Sequence, residues 1–151
     1  MKVREATVDD VKPIVGLLSA DELGCAREDT GEAISQEYYK AFRRIAADPN
    51  QELVVAEDDR HVVVGTLQIS YIQYLTYRGG LRAQIEGVRI REDKRGRGLG
   101  KQLLEWAIER AKDRGVHVVQ LASDKRRPDA IGFYERLGFA ASHEGMKLHC
   151  H

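Results

Sequence analysis

The sequence predicts a single mixed α/β (α+β) domain spanning residues 1–151. Three observations carry that expectation. The chain has 151 residues, enough for one domain with a core of its own. Segments with period-two apolar patterning alternate with segments of period 3.6. No internal repeat, low-complexity tract or interdomain linker breaks the succession.

The elements follow in order. "KVREAT" alternates and runs into the cap-rich "TVDD", so a short strand leads into a helix. In that helix Val11, Ile14, Val15 and Leu18 recur at helical spacing, and Pro13 is tolerated if the helix starts near Asp9 or Asp10. "ADELGCAREDTGEA" is polar and contains glycine, and it reads as a loop. "SQEYYKAFRRIAAD" is a second helix, with Ser35 as its cap and Pro49 beyond its end. "ELVVAE" and "VVVGTLQISYI" form a hairpin about "DDRH". "TYRGG" turns into the strand "LRAQIEGVRI", which has Gly87 inside it. In "LGKQLLEWAIERAKDRG", Leu99, Leu103, Trp106, Ala107 and Ala111 share one helical face and Gly115 suits the C′ position. "VHVVQLAS" is a strand, "RPDAIGFYERLGF" a short helix and "GMKLHC" a last strand.

Composition narrows the function classes. Apolar residues make up 42% and charged residues 32%, as in an ordinary globular protein. Lys plus Arg and Asp plus Glu stand at 24 each. That balance argues against a nucleic-acid partner, although Arg89 to Lys101 is locally basic. No apolar run reaches the ~20 residues of a membrane span, and the start lacks a signal-peptide core, so the expected location is cytoplasmic with no membrane partner. Cys25 and Cys150 are too few for a disulfide framework. His143, His149, Cys150 and His151 give no spaced ligand set, so no metal is expected.

The stretch "REDKRGRGLG" carries the chemistry. Gly96, Gly98 and Gly100 stand between a strand and a helix N-terminus, and each glycine gives up more chain freedom on folding than another residue would. The first turn of a helix offers N–H groups without internal partners, in a positive potential. Glycines let a ligand approach that backbone, and Arg95, Arg97 and Lys101 add charge. The combination suits an anion, most commonly a phosphate; a surface loop with solvated cations is the plainer alternative. It is not a P-loop, because the glycine-to-lysine spacing is short and Gln102 stands where Ser or Thr would hold magnesium. Strict alternation also separates it from the Gly-x-Gly-x-x-Gly of dinucleotide folds.

"RGRGLG" resembles the Arg/Gln-x-x-Gly-x-Gly/Ala signature of the GNAT superfamily of acyl-CoA-dependent N-acyltransferases. "AIGFYERLGF" resembles that family's Ala-x-x-x-Tyr-x-x-x-Gly-Phe motif, with Ala130, Tyr134, Gly138 and Phe139 in place. The resemblance is strong over residues 81–140. It implies a twisted, mostly antiparallel mixed sheet whose central strands splay, with helices flanking it and the pantetheine arm entering the gap like an added strand. It implies acetyl-CoA as cosubstrate, held by Val88, Ile90, Arg95, Gly96, Arg97, Gly98, Leu99, Gly100, Lys101, Arg127 and Tyr134. Arg127 stands where the family often has Asn, so a charge interaction would replace that contact.

The implied activity is N-acetylation of a primary amine, on a small molecule or a protein, by direct attack. A lysine-like amine with a pKa near ~10.4 is mostly protonated at neutral pH and needs a base. Glu86, beside Gly87 where a bulge would re-aim the strand, is the candidate base; a water relay or a plain Arg-paired carboxylate are its alternatives. The resemblance places an oxyanion-stabilising N–H near Val88. It makes Tyr134 the general acid, and a tyrosine with an ordinary pKa near ~10 is protonated at pH 7; a structural tyrosine covering the core is the plainer alternative. Tyr38, Tyr39, Tyr71, Tyr74 and Tyr77 fit a pocket lining, a homodimer interface or ordinary packing equally. Two other functions compete: a non-catalytic acyl-CoA-binding regulator of the same fold, and a nucleotide-binding module.

Overall fold

A computed structural model describes the backbone of residues 1–151 and every side chain except those of Glu22 and Pro128. By contact density the chain falls into two compact units, Met1–Gln120 and Leu121–His151.

The first unit is built on a sheet of five strands in the order β1-β2-β3-β4-β5. These are β1 (Lys2–Glu5), β2 (Gln51–Glu57), β3 (Val63–Gln73), β4 (Leu81–Ile90) and β5 (Val118–Leu121). The first four pair antiparallel. Along β5, His117 meets Leu81 and Gln120 meets Gln84 at one constant sequence separation of 36, so β5 runs parallel to β4. The expected mixed sheet is therefore present.

Both faces of the sheet are covered at β2 and the start of β3, where burial runs unbroken over Val54–Glu57 and Val64–Leu67; farther along β3 it alternates. Val54, Leu67, Ile69, Tyr71, Ala83 and Ile85 are buried and share one face by pairing register. Helix α5 (Leu99–Asp113) packs on β3 and β4 through Leu103, Leu104, Ala107 and Ala111, all buried. Leu104 is thus in the core where the helical pattern placed Trp106, which is only half-buried. A charged clamp seats this helix: Arg110 donates to Glu52 at 2.6 and 3.0 Å, and Arg114 lies 4.1 Å from the centre of the Tyr71 ring. Burial, reinforced by Glu52, pushes the Tyr71 hydroxyl up to about 12. The helix ends in a Schellman motif, with Gly115 at φ +78 and bonds from Gly115 N–H to the Lys112 carbonyl and from Val116 N–H to that of Ala111.

Helices α1 (Val11–Leu18) and α3 (Gln36–Ala47) cover the opposite face, where Ile14, Leu18 and Phe42 pack on Leu53 and Val55. Ser35 caps α3 as expected, accepting from Glu37 N–H at 3.1 Å. A 3-10 turn, Val8–Asp10, precedes α1. Asp10, buried, accepts from Thr7 N–H at 2.7 Å and from both terminal nitrogens of Arg4 at 2.8 and 3.0 Å. Arg4 also donates to the buried Glu57 at 2.9 Å. Its guanidinium holds both carboxyls below their ordinary range.

Two expectations fail. The segment expected to be a loop after α1 contains the helix α2 (Glu22–Arg27), because Asp21 caps it by accepting from Gly24 N–H at 2.6 Å. "GMKLHC" is not a strand: it has no pairing partner, and Met146 and Leu148 are exposed. An isolated alternating segment gains nothing from its pattern without a sheet edge to join.

The second unit carries α6 (Pro128–Arg136). Gly138, at φ +99, turns the chain after this helix so that Gly138 N–H meets the Glu135 carbonyl and Phe139 N–H meets that of Tyr134. The Phe139 ring then packs edge-on against Tyr134, with ring centres 5.9 Å apart. The Tyr-x-x-x-Gly-Phe spacing is the sequence trace of this helix ending.

Candidate active site

Two features of β4 build the site in the first unit. The first is a bulge. Thr66 pairs with Arg89 and Gln68 with Glu86, so Gly87 and Val88 together oppose Leu67. Gly87 adopts φ +64, which explains the glycine inside the strand. The second is an open edge. The bonds of β5 to β4 run as far as Gln120 on Gln84. Among the described residues no strand flanks Glu86–Ile90 on that side.

The chain then leaves β4 into the cradle. Arg91 closes on Asp93 at 2.6 and 3.0 Å, and Glu92–Lys94 form a 3-10 turn. Gly96 and Gly98 both take positive φ, +76 and +78, and Gly98 is the N-cap of α5. No side chain caps this helix, so its first-turn N–H groups are left for a ligand. A methyl group at Gly96 or Gly98 would meet nothing within 4 Å. The glycines are therefore required by backbone conformation, and their faces open onto free space. Arg97 and Lys101 are exposed; Lys101 lies 3.8 Å from Glu105. Arg95 instead folds back, its Nε donating to the Ile90 carbonyl at 3.2 Å. A hollow of about 190 Å³ beside Arg97 and Leu99 is also lined by Lys94, Asp58 and Asp59, so side chains of both charges face it.

Glu86 is exposed on the face of β4 opposite the α5 core. Gln84 Nε2 donates to it at 3.1 Å, and Gln120 Nε2 donates to Gln84 at 2.8 Å. Gln68 and Ser70 on β3 both donate to Gln51, at 2.9 and 2.7 Å. The sheet thus carries a polar floor beside Glu86. Of this floor the sequence points to Glu86 alone; it does not single out Gln84, two residues earlier in the same alternation, or Gln120, which strand pairing brings from β5.

Val88 is the second residue of the bulge, and Ile90 lies beyond it on the same strand. The Val88 carbonyl accepts from Arg89 Nη1 at 2.8 Å, and Ile90 pairs with Gly65. Arg127 and Tyr134 belong to the second unit. Arg127 is the N-cap of α6, a position where Asn would have supplied an accepting oxygen and Arg cannot. Tyr134 sits in the last turns of α6, edge-on to Phe133 with ring centres 5.3 Å apart. Among the described residues no three His, Cys, Asp or Glu side chains group to hold a metal ion, and no helix is long and apolar enough to cross a membrane.

Comparison with known proteins agrees with this architecture. The family model of the acetyltransferase (GNAT) family matches residues 20–139. The L-methionine sulfoximine/L-methionine sulfone acetyltransferase of Pseudomonas aeruginosa is 33% identical over 144 residues, 93% of this chain and 80% of that one. The aminoalkylphosphonate N-acetyltransferase of Salmonella typhimurium is 29% identical over 147 residues, 94% of this chain and 86% of that one. The crystal structure of a transcriptional regulator from Bacillus halodurans C-125 superposes with a TM-score of 0.94 at 51% identity, covering 98% of each chain. With a glycine cradle at an uncapped helix, a bulged strand and a family match over most of its length, the chain belongs to the GNAT family of acetyl-CoA-dependent acetyltransferases.

Proposed function

We infer that the protein transfers the acetyl group of acetyl-CoA directly to the primary amine of a small molecule, as one domain. The cradle carries the reading: two glycines at positive φ open an uncapped helix N-terminus in a basic loop. The residues fit the cosubstrate. First-turn N–H groups from Leu99 to Lys101 would face the phosphates, and Arg97 and Lys101 would add charge. The open edge of β4 from Glu86 to Ile90 suits the pantetheine amides as a further strand. Relatives named for methionine sulfoximine and aminoalkylphosphonate favour a small acceptor over a protein amine.

Acetyl-CoA supplies the thioester whose acyl carbon the amine attacks. Glu86 takes the amine proton on a carboxylate oxygen held by Gln84. The backbone N–H near Val88, at the bulge, stabilises the negative charge that builds on the acyl oxygen. Tyr134 gives its hydroxyl proton to the departing sulfur, and Arg127 adds a cation toward the cosubstrate. We expect Tyr134→Phe to lower kcat about 10²-fold or more with acetyl-CoA affinity retained, measured by CoA release against a panel of amines. Near-normal turnover would reject the role.

The Bacillus halodurans relative described as a transcriptional regulator favours a second reading, a regulatory protein that uses the same acyl-CoA site. CoA release with any amine of the panel decides for transfer; acetyl-CoA binding without release decides for regulation.

A further inference from the structure

At the end of β4 away from the cradle, Arg82 lies in a built cluster of aromatic side chains. Its guanidinium carbon is 4.2 Å from the centre of the Tyr74 ring and 5.3 Å from that of Tyr77. Tyr77 stacks in turn on His117, with ring centres 5.1 Å apart. His117 is fixed, because its Nδ1–H donates to the Leu81 carbonyl at 3.0 Å and any side chain at Gly80 would overlap its ring.

The turn that presents these tyrosines is strained. It comprises α4, the single turn Thr76–Gly79, whose i to i+4 bonds are wound left-handed: Tyr77, Arg78 and Gly79 have φ of 54°, 58° and 74°. Gln73 holds it by donating from Nε2 to the carbonyls of Tyr74 and Gly79, at 3.0 and 2.8 Å. Two consecutive non-glycine residues in this region persist only where surrounding contacts over-determine them, as in ligand clamps.

The charge of Arg82 is unmatched. Nη1 donates to Gln120 Oε1 at 3.3 Å, and Nε, shut off from water, bonds nothing. No carboxylate pairs with it among the described residues. With Nε buried and Nη1 turned to Gln120, the Nη2 end of the guanidinium is what can meet a carboxylate or phosphate. From Arg82 a directed chain of hydrogen bonds runs through Gln120 and Gln84 to Glu86. The polar floor therefore has a cation at one end, a carboxylate at the other and two oriented amides between.

We propose that Arg82, framed by Tyr74 and Tyr77, binds an anionic group on the acceptor. The acceptor class is then an extended primary amine that carries a carboxylate or phosphate at its other end. Four residues of strand separate Arg82 from Glu86, about 13 Å, and a contact of about 3 Å at each end leaves about 7 Å between nitrogen and anion. Arg82 also repels the second ammonium of a diamine, which excludes polyamines. The inference rests on Glu86 marking the amine end of the site.

Calorimetry on the full chain saturated with CoA tests it with four probes of similar length: 6-aminohexanoate, 4-aminobutyl phosphate, hexylamine and 1,6-diaminohexane. Both anionic probes should bind at least tenfold more tightly than the other two, and the tighter of them identifies the anion. Arg82→Gln should abolish that preference while leaving acetyl-CoA affinity unchanged. Equal binding of all four probes, or no binding by any, overturns the proposal, as does a preference that survives in Arg82→Gln. Should that variant lose its cooperative melt, Arg82→Lys replaces it, keeping the charge without the planar guanidinium that the tyrosine rings frame. Anion affinity must then fall several-fold, and unchanged affinity is contrary. Failure of the wild-type chain to bind acetyl-CoA would overturn the acetyltransferase site itself, and this inference with it. Normal acetyl-CoA binding without anion preference overturns the subsite alone.

Discussion

Glu86 is a carboxylate on an exposed strand position, and its usefulness as a base depends on where its oxygen points. Gln84, two residues earlier on the same face, donates to that oxygen at 3.1 Å and is itself oriented by Gln120. Glu86→Gln is nearly isosteric and removes only basicity. We expect about a 10²-fold loss of rate at pH 7, shrinking as pH rises toward the amine's own pKa near ~10.4, where free amine no longer needs a base. A pH–rate profile measured by CoA release checks this. Equal loss at every pH would make Glu86 a positioning residue, and a profile parallel to wild type with little loss would send the proton by another route. At this scale the sequence was informative where chemistry is local. Glu86 beside Gly87, and Gly96 and Gly98 before a helix, can be seen in one dimension. Gln120 cannot, because its role exists only through strand pairing with β4, and neither can Arg82, whose tyrosines come from a turn of unusual hand.

Among the elements, the N-terminal strand and turn depend on charge more than on apolar area. Arg4 joins β1 to the 3-10 turn through Asp10 and to the end of β2 through Glu57. Asp10→Asn keeps the acceptor for Thr7 N–H and loses the charge. The Asp10 carboxyl is held below its ordinary value mainly by its bonds to Arg4. Its stabilisation is therefore complete above the unfolded pKa near ~3.9 and is lost as pH falls through the lower folded value. We expect Asp10→Asn to cost about 2–3 kcal/mol at pH 7 and the gap to wild type to narrow below about pH 4. Urea unfolding at pH 7 and pH 3 measures it, and an equal gap at both would show that charge is not the cause. The elements themselves were largely legible, since β4, α5 and the β2–β3 hairpin follow their periodicity. Helix α2 was missed because six residues with an internal glycine carry too little pattern, and its cap at Asp21 is the decisive feature. The terminal "GMKLHC" misled for the opposite reason: it alternates, but pairing decides a strand.

For the whole molecule, the central claim is that the loop between β4 and α5 holds the phosphates of acetyl-CoA. The GNAT signature in this loop and the Tyr134 motif lie in different units of the chain, so the cradle can be tested without reference to the second. Gly98→Asp is the sharpest change. Aspartate tolerates the left-handed conformation better than most residues, so the fold should survive. Its carboxylate would compete for the first-turn N–H groups of α5 and would place a negative charge where the phosphates bind. Calorimetric titration of acetyl-CoA into the wild-type chain and Gly98→Asp, with thermal melts to establish folding, should show affinity reduced at least tenfold at similar stability. Unchanged affinity in a folded Gly98→Asp protein would contradict the cradle assignment.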